Sequence, residues 1–384
     1  MMEHLSILFD LFLIFFSAKV FSYLFEKIRI PPMIGEIAAG LVIGAGGLSI
    51  VRQTPALDAF SELGAIMLLF VVGLHTRLKD MLKIGLDATI VAVLGVVLPL
   101  VLGYFFILYT GHRGLEALFV ATALVATSVG ITARVLKDMR IENTVPARLI
   151  LGAAVADDIL GLLVLAVITG ETHGSIDVYK LLSLFVVVVL FLAGVFLLGG
   201  RSIKMLRTRL EKMGMEKNEF ILSMTVLLGL SFLTSYIGMA SIVGAFFAGL
   251  LMAELEDRHL DDMFGSIYEF LVPFFFVMIG MKIQPGLLLS SNVLLIAVVY
   301  TIIAIVGKYV GCGIGAARYG ARVMNFVGLG MVPRGEVGMI VALIGLNMHV
   351  VSSSAYAIII FMVVATTIVT PLFLSFFARH WYVR

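Results

Sequence analysis

Long apolar segments, separated by short polar loops, follow one another along almost the whole chain. A helix of about 20 apolar residues spans a bilayer, and it satisfies its own backbone hydrogen bonds, as lipid requires. Because 61% of the 384 residues are hydrophobic and 14% are charged, little sequence remains for a soluble domain. The sequence therefore predicts an all-α polytopic membrane protein. About thirteen candidate transmembrane helices cover residues 6–25, 31–47, 59–74, 85–109, 115–137, 147–169, 178–200, 218–236, 239–254, 264–281, 291–317, 321–347 and 354–379.

Lysine and arginine are distributed unevenly between the two sides of such a chain. The loops after odd-numbered spans and the C-terminal tail, counted together with the adjoining span-end residues Lys137, Arg322 and Arg379, carry 18 of these residues. The other loops carry three, Arg52, Arg113 and Lys282. Cytoplasmic loops of membrane proteins are enriched in basic residues. We therefore expect a multi-pass protein in a lipid bilayer, with the N-terminus outside and the C-terminus in the cytoplasm.

The sixth candidate span contains two adjacent aspartates, Asp157 and Asp158, within LILGAAVADDILGLLVLAVI. A charged group at the bilayer centre costs about 2.5–3.5 kcal/mol on insertion scales, so these residues indicate an ion or proton pathway. The eleventh span carries Lys308, with no acidic residue near it in sequence. Neighbouring residues on a helix point about 100° apart. One aspartate can therefore pair with Lys308 while the other faces a water-filled cavity and binds a hard cation or a proton.

Two candidate spans contain sequences that interrupt a helix. The fifth contains ATSVGITAR at residues 126–134, and the twelfth contains MVPRGEVG at residues 331–338. Pro333 lacks a backbone donor and tends to break a helix. The hydroxyls of Thr127 and Ser128 can satisfy the backbone groups that a break exposes, or act as oxygen ligands. Because the two spans lie seven apart, they cross the membrane in opposite directions, which is typical of inverted repeats in secondary transporters.

Four further charged residues lie in or beside the spans. Arg334 and Glu336 flank the second break, where they can pair with each other or counter the dipoles of the half-helices. We expect both to give structural support. Glu36 is a candidate for lining a vestibule, and Arg134, near a cytoplasmic span end, is expected to extend to the membrane surface.

Several of these sequences resemble the motifs of a known family. LILGAAVADDILGL, ATSVGITARVL, IVGKYVG and MVPRGEVGMIVA are similar to those of the bacterial monovalent cation:proton antiporter-2 family, in particular its NapA-type Na⁺/H⁺ antiporters and GerN-like relatives. The resemblance covers nearly the whole chain. It implies a NapA-like fold of inverted repeats with two broken crossing helices, in the inner (plasma) membrane of a bacterium.

The resemblance also assigns roles to residues at matching positions. It implies that Asp158 holds Na⁺ or H⁺ in turn, and that Asp157 is the partner of Lys308 and a further candidate Na⁺ ligand. Thr127 and Ser128 resemble the polar residues of the first broken helix.

The same resemblance implies a homodimer that works as an elevator. Residues 1–75 and 218–282 would form the dimerisation (scaffold) domain, and residues 85–170 and 291–380 the ion-transporting core. Residues 178–217 would form the connecting helix and a cytoplasmic linker.

The sequence therefore predicts a secondary active Na⁺ (or Li⁺)/H⁺ antiporter, with electrogenic exchange and no cofactor or nucleic-acid partner. The alternatives are a K⁺/H⁺ or mixed Na⁺/H⁺-K⁺ antiporter, and a sodium-coupled solute symporter. An intramembrane aspartyl protease is disfavoured, because its two carboxylates come from different helices and the GxGD motif is absent from this sequence. We accordingly expect a transporter and not an enzyme. The single cysteine, Cys312, excludes a disulfide framework and a multi-cysteine metal site.

Overall fold

The computed structural model describes residues 2–28, 30–76, 78–112, 114–172, 178–200, 202, 203, 205, 208, 219–255, 259–282 and 291–382, and all regular secondary structure among them is helical. Short 3₁₀ turns and one π-helical turn, Val195–Gly199, accompany the α-helices. In chain order the α-helices are α1 Met2–Lys27, α2 Pro32–Ile43, α3 Pro55–Leu74, α4 Leu78–Tyr109, α5 Gly114–Thr122, α6 Val129–Asp138, α7 Val145–Thr172, α8 Val178–Gly194, α9 Glu219–Tyr236, α10 Ser241–Met252, α11 His259–Met281, α12 Ser291–Gly315, α13 Ala321–Gly330, α14 Glu336–Asn347 and α15 Ser353–Trp381.

These helices agree with the predicted polytopic membrane architecture. Among the described residues, seven helices are long and apolar enough to cross a membrane, and four shorter helices are also apolar. Side chains such as Phe12 and Phe232 are more than half exposed, as expected for a surface that faces lipid. Every predicted segment contains at least one described helix. The all-α polytopic fold is thus confirmed, and the count of thirteen spans stays a prediction.

The helices pack in two groups. In the first group, which we name the scaffold bundle, α1, α2, α3, α9, α10 and α11 pack together, and α3 contacts both α10 and α11. In the second group, which we name the core bundle, α4, α5, α6, α7, α12, α13, α14 and α15 pack together, and α4 contacts both α7 and α12. Helix α6 also touches α3, so it brings the two bundles into contact.

The segment predicted to connect the two halves, residues 178–217, begins with α8. This helix contacts α7, and the π-helical turn that follows it contacts α10. Most of the predicted cytoplasmic linker, including residues 209–217, lies outside the described residues.

Glycines mark the closest helix crossings within each bundle. In the scaffold bundle, a Cβ atom on Gly40 would lie 2.0 Å from the carbonyl oxygen of Val277. In the core bundle, a Cβ atom on Gly311 would lie 2.5 Å from the carbonyl oxygen of Leu94. Only glycine fits at such distances, and the close approach maximises the van der Waals contact that holds helices together in lipid.

Candidate ion-binding site

Two broken spans cross at the centre of the core bundle. The first is α5 and α6, separated by residues 123–128, and the second is α13 and α14, separated by residues 331–335. Thr132 Oγ1 donates to the carbonyl of Gly330 at 2.5 Å, and the Ser128 N–H donates to the carbonyl of Pro333 at 2.8 Å. The partners run in opposite order along the two segments. The two broken spans therefore cross antiparallel. The first span donates hydrogen bonds to carbonyl groups at the break of the second.

The first break lies earlier in the chain than the sequence predicts. The prediction placed it at residues 126–134, but α6 already begins at Val129 and includes Gly130. A Cβ atom on Gly130 would lie 3.1 Å from the Phe275 ring. This glycine therefore allows α6 to pack against α11, and it does not interrupt the helix. The interruption instead lies at residues 123–128, where the N–H of Ser128 donates to the carbonyl of Pro333 in the second break.

Asp157 and Lys308 form a sealed ion pair beside these breaks. Lys308 Nζ lies 2.5 Å from Asp157 Oδ2, and both side chains are 0% exposed. Lys308 also donates to the carbonyl of Val125 at 2.8 Å, and Thr127 Oγ1 donates to Asp157 Oδ2 at 2.6 Å. Asp157 lies on α7, and donors from α12 and from the first break thus hold its Oδ2 atom in place. Within the described part of the chain, Asp157 Oδ1 has no hydrogen-bond partner.

Asp158, one position further along α7, faces a different environment. It is 8% exposed and lines a cavity of about 560 Å³. The opposite wall belongs to the scaffold bundle and includes Asp58, Glu62 and Phe275. The lining also includes Lys282, in a loop that the charge distribution predicts to be outside. A carboxylate here is reachable by a hydrated cation, whereas Asp157 is not.

Arg334 is fully buried at the second break. Its Nη1 donates to the carbonyls of Ala126 at 3.0 Å and Val125 at 3.3 Å. These carbonyls follow the C-terminal end of α5, where the helix dipole is negative, so the guanidinium acts as a countercharge for that end. The hydroxyl of Thr367 donates to the Arg334 carbonyl at 2.9 Å and holds the second break in place. The side chain of Glu336 lies outside the described residues.

Glu36 and Arg134 lie at the contact between the two bundles. Glu36 is 2% exposed, and its Oε1 atom lies 3.8 Å from Arg134 Nη2. In this conformation Glu36 does not line the cavity beside Asp158. Arg134 packs at the contact between the bundles, and its extension to the membrane surface stays a prediction. Its side chain is 12% exposed and also pairs with Asp138 at 3.0 Å, because two nearby carboxylates attract the guanidinium inward.

The sequence analysis missed two residues that shape the site. Tyr300 Oη donates to the carbonyl of Val120 at 2.5 Å and ties α12 to α5. A Cβ atom on Gly95 would lie 2.3 Å from Cys312 Sγ and 3.4 Å from Lys308 Nζ, so Gly95 makes room for Cys312, one turn after the lysine on α12. A tyrosine in an apolar span is a weak signal for the first residue. One of the three glycines of α4 is no signal for the second.

The crossed broken helices and the buried ionisable pair define a secondary transporter of the inverted-repeat class. Residues 12–380 match the family described as sodium/hydrogen exchanger, transmembrane, and the chain belongs to that family.

Named relatives and a solved structure agree with this membership. The high-affinity Na⁺/H⁺ antiporter NhaS3 of Synechocystis is 32% identical, over 95% of this chain and 88% of the relative. The Na⁺/H⁺-K⁺ antiporter GerN of Bacillus cereus is 31% identical, over 96% of this chain and 95% of the relative. The structure of the sodium proton antiporter MjNhaP1 from Methanocaldococcus jannaschii has a TM-score of 0.73 at 16% identity, and covers 97% of this chain and 96% of that one. This last similarity confirms the fold.

Proposed function

We propose that this protein is a secondary active antiporter that exchanges Na⁺ or Li⁺ for H⁺, and that both ions compete for Asp158. The observation that carries the proposal is the unequal setting of the two aspartates. Asp158 lines the cavity between the bundles, whereas Asp157 is sealed against Lys308. A carboxylate binds a hard cation or a proton but not both at once, so occupancy by one ion releases the other. The names of the two relatives, NhaS3 as a Na⁺/H⁺ antiporter and GerN as a Na⁺/H⁺-K⁺ antiporter, support Na⁺ and H⁺ as substrates.

The exchange cycle follows from this competition. A proton from outside neutralises Asp158, and Na⁺ displaces it into the cytoplasm after the site has become accessible from that side. Arrival of Na⁺ places a second positive charge near Lys308, which favours loss of the lysine proton to the cytoplasm. Asp157 is then available as a second Na⁺ ligand. Na⁺ is then released outside, where Lys308 and Asp158 each take up a proton again. Two protons thus move for each Na⁺, and the exchange carries net charge.

The two bundles suggest how the site changes sides. Thr127, Asp157, Lys308 and Arg334 all belong to the core bundle. In our proposal, the core bundle moves as an elevator against a scaffold bundle that holds two copies of the chain together as a homodimer. Residues 85–170 and 291–380 form the moving part, residues 1–75 and 218–282 the dimerisation part, and residues 178–217 the connection. The protein resides in a bacterial inner membrane with its N-terminus outside.

K⁺/H⁺ exchange, or mixed exchange, is the second candidate. It is favoured by the similarity to GerN, which is named a Na⁺/H⁺-K⁺ antiporter and is 31% identical over 96% of this chain. A site of one or two carboxylates and a hydroxyl suits any hard monovalent cation by ligand type. Ion selectivity must therefore be measured.

The test is a pH-dequench assay on proteoliposomes that contain the purified protein, with Na⁺, Li⁺ and K⁺ added in turn. We expect dequenching with Na⁺ and Li⁺, and a faster response when an ionophore clamps the membrane voltage. An equal response to K⁺ would support the second candidate. No response to any of the three cations would contradict antiport, and Na⁺-driven uptake of a labelled solute would indicate the symporter.

A further inference from the structure

Arg134 joins the two bundles through several contacts at once. It lies on α6 of the core bundle, and its guanidinium reaches Glu36 on α2 of the scaffold bundle at 3.8 Å. The same guanidinium lies 5.3 Å from the ring centre of Tyr268 and 5.8 Å from that of Phe276, both on α11. Cations attract the faces of aromatic rings at such distances. One arginine of the core bundle is therefore held by three side chains of the scaffold bundle.

This cluster lies on the opposite side of the ion-binding site from the cavity. Arg134 follows the first break by six residues, which corresponds to about 9 Å along a helix. From there α6 continues towards the loop after the fifth span, which the charge distribution predicts to be cytoplasmic. The cavity that contains Asp158 instead reaches Gln53 and Lys282, in loops predicted to be outside. The Arg134 cluster thus lies between Asp158 and the cytoplasm.

The contacts are suited to being broken and remade. Glu36 is buried, yet its ion pair with Arg134 is long, and Ser22 donates to the Glu36 carboxylate at 3.3 Å. Within the described residues, the Glu36 Oε2 atom has no hydrogen-bond partner. Arg134 keeps a partner in its own bundle, Asp138, at 3.0 Å. Separation of the bundles would therefore leave the arginine paired.

We propose that Arg134, Glu36, Tyr268 and Phe276 form a cytoplasmic latch, which closes the path from Asp158 to the cytoplasm while the cavity is open on the outer side. The latch positions the core bundle against the scaffold bundle and stabilises this one conformation. The inference rests on the alternating access of the proposed antiport. It adds the residues that set the balance between the two conformations.

Distances between spin labels on the two bundles test the latch. Lys27→Cys on α1 and Arg322→Cys on α13 replace exposed residues on the side predicted to be cytoplasmic, in a Cys312→Ala background. We expect Arg134→Gln and Glu36→Gln each to raise the ratio of inward-open to outward-open distances about tenfold, within the range of couplings between contacting residues. The double variant should match Arg134→Gln, because that single change already breaks the pair that Glu36→Gln removes. The ratio for Arg134→Lys should lie between that of the parent and those of the two glutamine variants.

Lys137→Gln, on the same helix, is the matched control and should leave the ratio unchanged. Thermal stability of each purified variant identifies any that fail to fold. Unchanged distance distributions in both folded latch variants would overturn the latch, and so would a double variant in which the effects simply add. The parent's pH-dequench activity is measured separately, so failure of the latch and failure of the antiport proposal give different results.

Discussion

Asp157 and Asp158 are neighbours in sequence but occupy different electrostatic environments. The angle of about 100° between successive helical side chains directs one towards α12 and the other towards the cavity between the bundles. Lys308 and Thr127 both donate to Asp157, so its charge is balanced inside the core bundle. Asp158 instead lines the cavity. This difference leads to distinct predictions for the two positions.

Asp158→Asn should abolish cation-driven proton release. The side-chain amide of asparagine does not bind and release a proton near neutral pH, and it has no negative charge to attract a cation. We expect a loss of at least about 100-fold in the initial rate, within the range for removal of an essential acid–base group. The measurement is the pH-dequench rate in proteoliposomes. Asp58→Asn, which changes another carboxylate in the same cavity, is the control and should retain exchange. Retained exchange in Asp158→Asn would rule out Asp158 as the shared ligand.

Lys308→Gln should separate charge movement from exchange. If the lysine carries the second proton, its loss leaves exchange of one proton per Na⁺, so dequenching persists while Na⁺-evoked current disappears. Solid-supported membrane electrophysiology measures the current, and pH dequenching measures the exchange. A Na⁺-evoked current equal to that of the parent would show that Lys308 does not carry the second proton.

The same substitution should also lower stability. Removing one partner of a buried ion pair leaves an uncompensated charge, which costs about 3–5 kcal/mol. Lys308→Gln should therefore unfold at lower temperature, and Asp157→Asn combined with Lys308→Gln should recover much of the loss. Thermal unfolding in detergent measures both. A double variant less stable than Lys308→Gln would contradict the pairing.

At the scale of elements, the site depends on how closely two long helices approach. Helix α12 places Lys308 opposite α4, and the glycines on α12 allow the two backbones to meet, as at Gly311 beside Leu94. Gly95 on α4 leaves the space that Cys312 occupies, and Lys308 lies beside it at van der Waals contact. The position of the lysine is thus set by packing between two elements as well as by its ion pair.

Gly95→Ala should destabilise the protein by about 1–3 kcal/mol, the usual cost of overpacking a core. The new methyl group would lie 2.3 Å from Cys312 Sγ. Cys312→Ala removes that sulfur, so the double variant should recover most of the lost stability. Thermal unfolding of the two single variants and the double variant checks this. Equal destabilisation with and without Cys312 would show that the collision lies elsewhere.

At the scale of the whole molecule, the two bundles meet on one side of the site and separate on the other. α6 contacts α3, and Arg134 reaches Glu36, whereas a cavity of about 560 Å³ separates the bundles beside Asp158. This arrangement is a conformation open on the side that the basic loops predict to be outside.

A cysteine at Ile242, which lines the cavity, should react with a membrane-impermeant thiol reagent added outside. In a Cys312→Ala background, we expect Ile242→Cys to be labelled from the outer face and protected from the cytoplasmic face. Lys27→Cys should show the opposite pattern. Measurement uses oriented cells and inside-out vesicles. Labelling of Ile242→Cys only from the cytoplasmic face would show that the cavity opens to the cytoplasm and would contradict the predicted orientation of the chain.

The sequence by itself determined the all-helical membrane architecture, the two broken spans and the ionisable residues at the centre. These are local consequences of the bilayer, which penalises each charge and each unsatisfied backbone group wherever it occurs. Periodicity alone left open which aspartate pairs with Lys308, and only the resemblance to a family assigned Asp157.

The tertiary structure decided the contacts between residues far apart in sequence. Lys308 meets Asp157 across 151 positions, and Arg134 meets Glu36 across two bundles. It also placed the first break at residues 123–128, because hydrogen bonds from the opposite break select that position. Such choices depend on the packing of α4, α7, α12 and the two breaks together. No segment of the sequence contains that information alone.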